Sequence, residues 1–233
     1  MAERPVFVPR ADGPVLVKTD KVAFQWFAGM AVSQKQKSIA ALHNAAIGAD
    51  LCRNPLEVSS KSPVTTGVAL SAFNLGSRTQ RTQRVFTVET AFQSSKVFEL
   101  GGPYRDLLYA TSREAKKDQR IQESGRLLHF DFFGDQWALE PKTAFYDWLY
   151  IKTLVANEDL VPELVSYDGF TDIEFNPERS INCQAYSLAL FKAFQLRGLL
   201  EVAMSGRESF LEIVSSVPIS SAHESTHVQP RLV

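Results

Sequence analysis

The segment Ile181–Arg197 constrains the fold more than any other. Ala185, Leu188, Ala189, Leu190, Phe191 and Phe194 put apolar side chains on most sides of a helix. Such a helix has to be covered on more than one side, so the rest of the chain must supply layers that enclose it. A second helix is expected from Pro141, well placed in a first turn, to about Asn157, because Ala144, Phe145, Trp148, Ile151 and Val155 follow helical spacing. A third runs from Ser33 to Ile47 with Gly48 at its end, and Ile39, Leu42 and Ala46 form its apolar face. Glu89 to Leu100 reads as a helix stopped by Gly101-Gly102-Pro103, followed by two charged helical segments at Tyr104–Tyr109 and Arg113–Gln122.

Strands are expected between these helices. Pro5–Val8 and Val15–Val17 alternate around Ala11-Asp12-Gly13 as a hairpin. Leu56–Ser60, Val68–Leu75, Val85–Val88 and Leu127–Phe132 read as further strands, and Leu199–Met204 with Phe210–Val214 as a closing hairpin. The elements mix without a regular βαβ rhythm. The expected class is therefore α+β, a single helix-rich domain with a small mixed sheet, and not a doubly wound sheet. The chain of 233 residues can bury one sizeable core.

Bulk properties exclude several functions. The net charge of −1 does not advertise a nucleic-acid binder, so any DNA contact needs a local basic patch. One candidate is Gly76–Arg84, where Arg78, Arg81 and Arg84 share a loop with no acid. It reads either as a solvated loop or as a contact to phosphates. Two cysteines, Cys52 and Cys183, make neither a disulfide framework nor a thiolate zinc site. The start of the chain lacks a secretory h-region, and no apolar run approaches the roughly 18 residues of a membrane span. A cytoplasmic location with no membrane partner is the expectation.

Two constellations carry possible chemistry. His223-Glu-Ser-Thr-His227 is a literal H-E-x-x-H, but no apolar stripe would hold it on a helix. A solvated tail over 218–233 is expected there, with no metal. Glu89, Phe92, Gln93 and Lys96 recur at spacings of three and four on one helix face. That face either meets water or lines a polar cleft.

These residues also carry a resemblance. Leu70-Ser-Ala-Phe-Asn-Leu75, followed by Thr87-Val-Glu-Thr-Ala-Phe-Gln-Ser-Ser-Lys-Val-Phe98, resembles the NADAR family, named for NAD and ADP-ribose. The family pattern is an S-N-F strand, then a helix-opening Glu in E-x-x-x-Q-x-x-K-F. Here the first phrase becomes Ser71-Ala72-Phe73-Asn74 and a Val precedes the final Phe, while the spacing of Glu89, Gln93 and Lys96 is kept. Trp137, Asp168-Gly-Phe170 and Asn182 resemble further family positions. The likeness spans about 56–197. Leu56-Glu-Val-Ser-Ser-Lys61 and the phrase from Phe170 to Gln184 look like the branch encoded beside DarT-type DNA ADP-ribosyltransferases, as does Phe24–His43. The expected organisation is a branch-specific extension over 1–55, a catalytic domain over 56–217 and a polar tail over 218–233.

The resemblance implies an antitoxin that hydrolyses ADP-ribose from the guanine amino group in DNA, needs no cofactor, and is paired with a DarT-type toxin. It would act on ADP-ribosylated DNA and release ADP-ribose. Breaking that N-glycosidic bond builds positive charge on ribose and requires a proton for the base. Glu89, in a first helical turn where the macrodipole favours the anion, is expected to stabilise that charge or orient water. Asp168 is the second carboxylate, with Asp172 its near competitor. Lys61 and Lys96 could form a Schiff base with ring-opened ribose, or simply pair with phosphates or carboxylates. Ser71, Phe73, Asn74, Phe92, Gln93, Trp137 and Asn182 are the expected ADP-ribose contacts: the aromatics stack on bases or sit in the core, and the Asn182 helix terminus faces the pyrophosphate. Arg78, Arg81 and Arg84 are expected to hold DNA. A non-catalytic module that masks the toxin or holds ADP-ribosyl groups is the alternative, and a zinc peptidase a remote one.

Overall fold

The computed structural model describes residues 1–178 and 180–216; the His223 motif and the tail over 218–233 lie outside them. The chain opens with β1 (Ala2–Pro9) and β2 (Val17–Phe24), a full antiparallel hairpin in which Val6 and Phe7 turn into the core. Next come α1 (Val32–Gly48), β3 (Pro55–Glu57) and α2 (Thr65–Ala69). A ribbon of β4 (Gly76–Arg78) and β5 (Val85–Thr87) leads into α3 (Val88–Ser94) and β6 (Lys96–Phe98). Beyond a 3-10 turn at Arg105–Tyr109 lie α4 (Ser112–Lys117) and α5 (Gln119–Glu123), then β7 (Leu127–Phe132), β8 (Asp135–Trp137) and α6 (Ala144–Val155). The chain continues through β9 (Gly169–Thr171), α7 (Gln184–Leu196), α8 (Leu200–Met204) and α9 (Arg207–Ser215).

The apolar helix α7 is enclosed as its composition requires, packing against α6, β1, β9 and α8. Tyr150 of α6 is fully buried and donates its hydroxyl to the Leu70 carbonyl (2.8 Å), so the aromatic body fills the core while the polar tip is satisfied. One sheet has the order β2-β1-β9-β3, with β9 antiparallel to β1 and parallel to β3. A second sheet is β6-β7-β8. This is an α+β fold with small mixed sheets. The N-terminal hairpin shares the first sheet with β9, so that sheet spans the boundary expected at residue 55.

Four expectations are corrected. The helix expected over Glu89–Leu100 ends at Ser94; the Ser94 and Ser95 hydroxyls bond back to the Ala91 carbonyl (3.1 and 2.7 Å), and β6 then pairs with β7. Val68–Leu75 is not a strand. It is the end of α2 and a run of turns in which Ser71 and Asn74 side chains both bond the Val68 carbonyl (2.9 Å each). The expected closing hairpin is the helix pair α8 and α9, because Ala203 and Phe210 reach the core only from helices laid against α7 and α6. Such short apolar runs carry no decisive period. Finally, α6 starts at Ala144, after a left-handed Thr143 (φ 69°), and not in the turn of Pro141. Gly67 marks a close approach: a Cβ there would overlap the Glu57 carbonyl and Ser62, so only glycine lets α2 lie on the end of β3.

Candidate active site

Where α3, β6, the turns after α2 and the segment leaving β9 meet, they enclose a cleft of about 230 Å³. Its centre is α3. Thr87 caps this helix and forms a reciprocal capping box with Thr90. The amides of Val88 and Glu89 donate to the carbonyls of Leu75 and Ala72 (2.9 Å each), which fixes the turn carrying Ser71, Ala72 and Phe73 against the helix start. Glu89 stands in the first turn, 6% exposed and lining the cleft. Gln93, one turn later, donates its Nε2 to Glu89 Oε1 (2.9 Å). That orientation leaves the Gln93 Oε1 buried with no partner among the described residues. A buried acceptor without a donor costs free energy, so this oxygen is suited to a ligand N–H or O–H.

Lys96 follows on β6, 1% exposed, its Nζ 4.9 Å from the centre of the Phe92 ring. Burial pulls its ammonium down to about 8; the Glu89 charge resists this and the Lys116 charge adds to it. Lys96 therefore gives up its proton more readily near neutral pH than an exposed lysine does. Lys116, from α4, reaches the same cleft with its Nζ 5.4 Å over Phe73. The Ser112 hydroxyl ties α4 in place: it donates to the Phe73 carbonyl (2.9 Å) and lies 2.8 Å from the Thr87 hydroxyl.

The facing wall leaves β9. Asp172 is buried and accepts from Gln184 Nε2 (2.9 Å) and from the Glu174 amide (3.0 Å). Burial raises its carboxyl above the usual carboxylate range. Gln184, the first residue of α7, also accepts the Ala72 amide (2.6 Å), so it bridges the two walls. Tyr146 of α6 meets Phe92 edge-on at 5.2 Å and lines the base of the cleft. Asn182 lines the rim two residues before α7, whose N-cap is Cys183.

Of the residues expected from the sequence, Glu89, Lys96, Ser71, Phe73, Phe92, Gln93 and Asn182 come together in this cleft. The others do not line it. The Asp168 carboxylate accepts the backbone amides of Arg53 (2.9 Å) and Asn54 (2.8 Å), closing the loop beside β3; Asp172 is the acid that enters the cleft. Lys61 gives its backbone amide to Ser59 and its side chain is absent from the lining. Asn74 is spent on the Val68 carbonyl and the Ser71 hydroxyl. Trp137 is 2% exposed and packs on Phe145 (5.6 Å) and Trp148 (4.9 Å), a core residue with no face for a base. Arg78, Arg81 and Arg84 are exposed on the β4–β5 ribbon; Arg78 bonds the Gln83 carbonyl and Arg84 stacks 3.6 Å over Tyr109.

Lys116, Tyr146, Glu174 and Gln184 are lining residues that the sequence reading did not select. Lys116 stands between Glu114 and Asp118, a charge balance typical of a solvated helix face, and the anchoring of α4 on Phe73 turns it inward. Gln184 had a signal, since it ends the phrase from Phe170 that carried the resemblance. Among the described residues, no group of three His, Cys, Asp or Glu could hold a metal ion. Likewise among these residues, no helix is long and apolar enough to cross a membrane.

The family model described as DarT1-associated NADAR antitoxin matches residues 2–224. No curated protein matches the sequence.

Proposed function

Because the chain belongs to the DarT1-associated NADAR antitoxin family, we propose that it counters its toxin as a hydrolase, removing ADP-ribose from guanine in modified DNA. The observation that carries this reading is the pair of buried carboxylates, Glu89 and Asp172, lining one cleft with the unpartnered Gln93 oxygen and the buried Lys96. A module that only held a sugar would not need two buried acids, each kept in place by amide donors.

In the reaction, the bond between ribose C1 and the guanine amino nitrogen breaks, the oxygen of water adds to C1, and a proton goes to the departing nitrogen. Glu89, held by Gln93, faces the positive charge that develops on ribose and orients the water. Asp172, whose burial favours its protonated form, donates the proton and afterwards receives one from the water, as paired carboxylates do in glycoside hydrolysis. The Gln93 Oε1 takes a ribose hydroxyl or a guanine N–H. Phe73, half-buried at the cleft, offers a ring to a base, a stack worth about 1–3 kcal/mol, whereas Phe92, 6% exposed and packed on Phe130, Phe145 and Tyr146, backs the cleft. Lys116 and the start of α7 suit the pyrophosphate. Ser71 and Asn182 supply polar contacts at the wall and rim. The exposed Arg78, Arg81 and Arg84 lie outside the cleft and serve the DNA backbone.

The buried Lys96 favours a second route through the same cleft. Its neutral amine would attack C1 of ring-opened ribose, the guanine amine would leave with a proton, and water would then release the Schiff base. Trapping with borohydride distinguishes the two, because only the second route leaves ADP-ribose on Lys96. The test of the function is incubation of the protein with guanine-ADP-ribosylated DNA. Free ADP-ribose in wild type but not in Glu89→Gln supports the hydrolase. Intact substrate under an excess of folded protein would make it a binding module.

A further inference from the structure

Behind the wall that carries Ser59 and Asp172 lies a buried polar chain that the proposed chemistry does not use. Glu57, on β3, is 1% exposed. Its Oε1 accepts the Ser59 hydroxyl (2.6 Å) and the Ile173 amide (2.8 Å), whereas its Oε2 accepts one donor, the Thr171 hydroxyl (2.6 Å). The same Thr171 oxygen lies 2.9 Å from His43 Nε2. His43 belongs to α1, in the N-terminal part of the chain, and Ser59 lines the cleft. The chain thus runs from α1 through the central sheet to the cleft.

We propose that His43, Thr171 and Glu57 form a two-way proton wire behind the cleft, with Glu57 a positioning residue that stores one proton beside Asp172. A hydroxyl between two titratable groups can point its single proton either way, which gives two consistent states. With Glu57 ionised, His43 Nε2–H donates to Thr171, and Thr171 donates to Glu57 Oε2. With Glu57 neutral, its proton sits on Oε2, the oxygen with one donor, and every bond reverses: Glu57 donates to Thr171, Thr171 donates to His43 Nε2, and the imidazole carries its proton on Nδ1. Loss of the stored proton is balanced. The Nδ1 proton leaves, Thr171 passes its proton to Nε2, Glu57 passes its own to Thr171, and the imidazole stays neutral throughout.

The surroundings favour storage. Burial, and then the Asp172 charge, raise the Glu57 carboxyl, while the bonds from Ile173, Ser59 and Thr171 oppose the rise. Two buried like charges resist joint ionisation, so the pair keeps at least one proton where two lone acids would lose both, and Glu57 can hold one while Asp172 gives up and regains its own. The other titratable neighbours do not supply that proton's countercharge. The Cys183 thiol is held neutral well above its usual range by burial, as are the Tyr146 and Tyr150 hydroxyls near Asp172. Glu174, beside Asp172, is paired with Lys35 of α1 (2.9 Å). Burial pulls the His43 imidazolium down to about 4, so the ring itself is neutral where Glu57 titrates.

The test is the nitrogen NMR spectrum of His43 in the full chain, followed from about pH 5 to about pH 9.5. The wire predicts a change from the Nδ1–H to the Nε2–H tautomer as pH rises, with no imidazolium signal. Glu57→Gln, whose amide donates to Thr171 at every pH, is expected to hold the Nδ1–H form throughout. Thr171→Val is expected to remove the pH dependence by breaking the chain. A wild-type tautomer that stays constant, or a transition that survives in Glu57→Gln, would overturn the proposal, and the wild-type titration decides alone if the variants fail to fold. The chemical use of the stored proton rests on the hydrolase reading; the tautomer change does not, since no substrate is present. Hydrolysis without the change therefore removes the wire, and the change without hydrolysis removes only the hydrolase.

Discussion

Replacing Glu89 by Gln tests the centre of the proposed chemistry with little change of shape. The amide is isosteric with the carboxylate, and its oxygen can still accept the Gln93 Nε2 that now lies 2.9 Å from Oε1. What disappears is one negative charge, 6% exposed, in a cleft that Phe92 and Ala72 also line. Unit charges about 4 Å apart interact by roughly 4 kcal/mol at an effective dielectric near 20. At 1.36 kcal/mol per decade this corresponds to about a thousandfold in rate. Had Glu89 only held Gln93 in place, the amide would keep that bond and the loss would be the difference between a charged and a neutral hydrogen bond, about 1 kcal/mol and less than tenfold. The assay is single-turnover release of ADP-ribose from modified DNA, with ADP-ribose affinity measured separately by calorimetry. The expected result is a rate lower by about three decades with affinity within a few-fold of wild type. A rate within tenfold of wild type in a folded variant would refute the assignment of charge stabilisation to Glu89.

Asp172→Asn is expected to lose about a hundredfold to ten-thousandfold in the same assay, the range of a positioned acid or base, whereas Asp168→Asn leaves turnover intact and lowers only the melting temperature; the reverse order would return the second acid to Asp168. Changing Arg78, Arg81 and Arg84 together to Gln is expected to raise the KM for modified DNA and flatten its salt dependence, while hydrolysis of a modified nucleoside is unchanged; equal damage to both substrates would put the ribbon in the fold or the cleft instead. Burial pushes the Asp147 carboxyl up to about 7 although Ser187 and Thr143 donate to it. The folded chain then binds this proton more tightly than the unfolded chain, so stability is greatest below the unfolded pKa near 4 and falls as pH rises towards 7, by about 4 kcal/mol in all at 1.36 kcal/mol per unit. Asp147→Asn should therefore melt several degrees above wild type at about pH 8 and lose that advantage at about pH 4; a difference independent of pH would contradict the buried charge.

The elements whose periods run for three turns or more were legible in the sequence. The enclosed helix α7, the helices α1 and α6 and the N-terminal hairpin follow from apolar spacing, because burial of a face depends on the element's own repeat. Glu89, Gln93 and Lys96 also belong to the sequence level: the first two share a face of α3, and the spacing to Lys96 survives even though the chain changes from helix to strand between them. Tertiary structure decided what depends on partners distant in the chain. Asp168 and Asp172 stand on either side of a three-residue strand, and nothing local distinguishes them. Pairing of β9 beside β3 sends the first to the amides of Arg53 and Asn54 and the second into the cleft. Trp137 belongs to the core because α6 and α9 close over it, and Lys116 to the cleft because Ser112 fastens α4 to Phe73. The helices α8 and α9 form where Ala203 and Phe210 find apolar surface on neighbours. A side chain's direction within one element is set by a period along the chain, whereas the wall or core that it meets is set by contacts the sequence does not order.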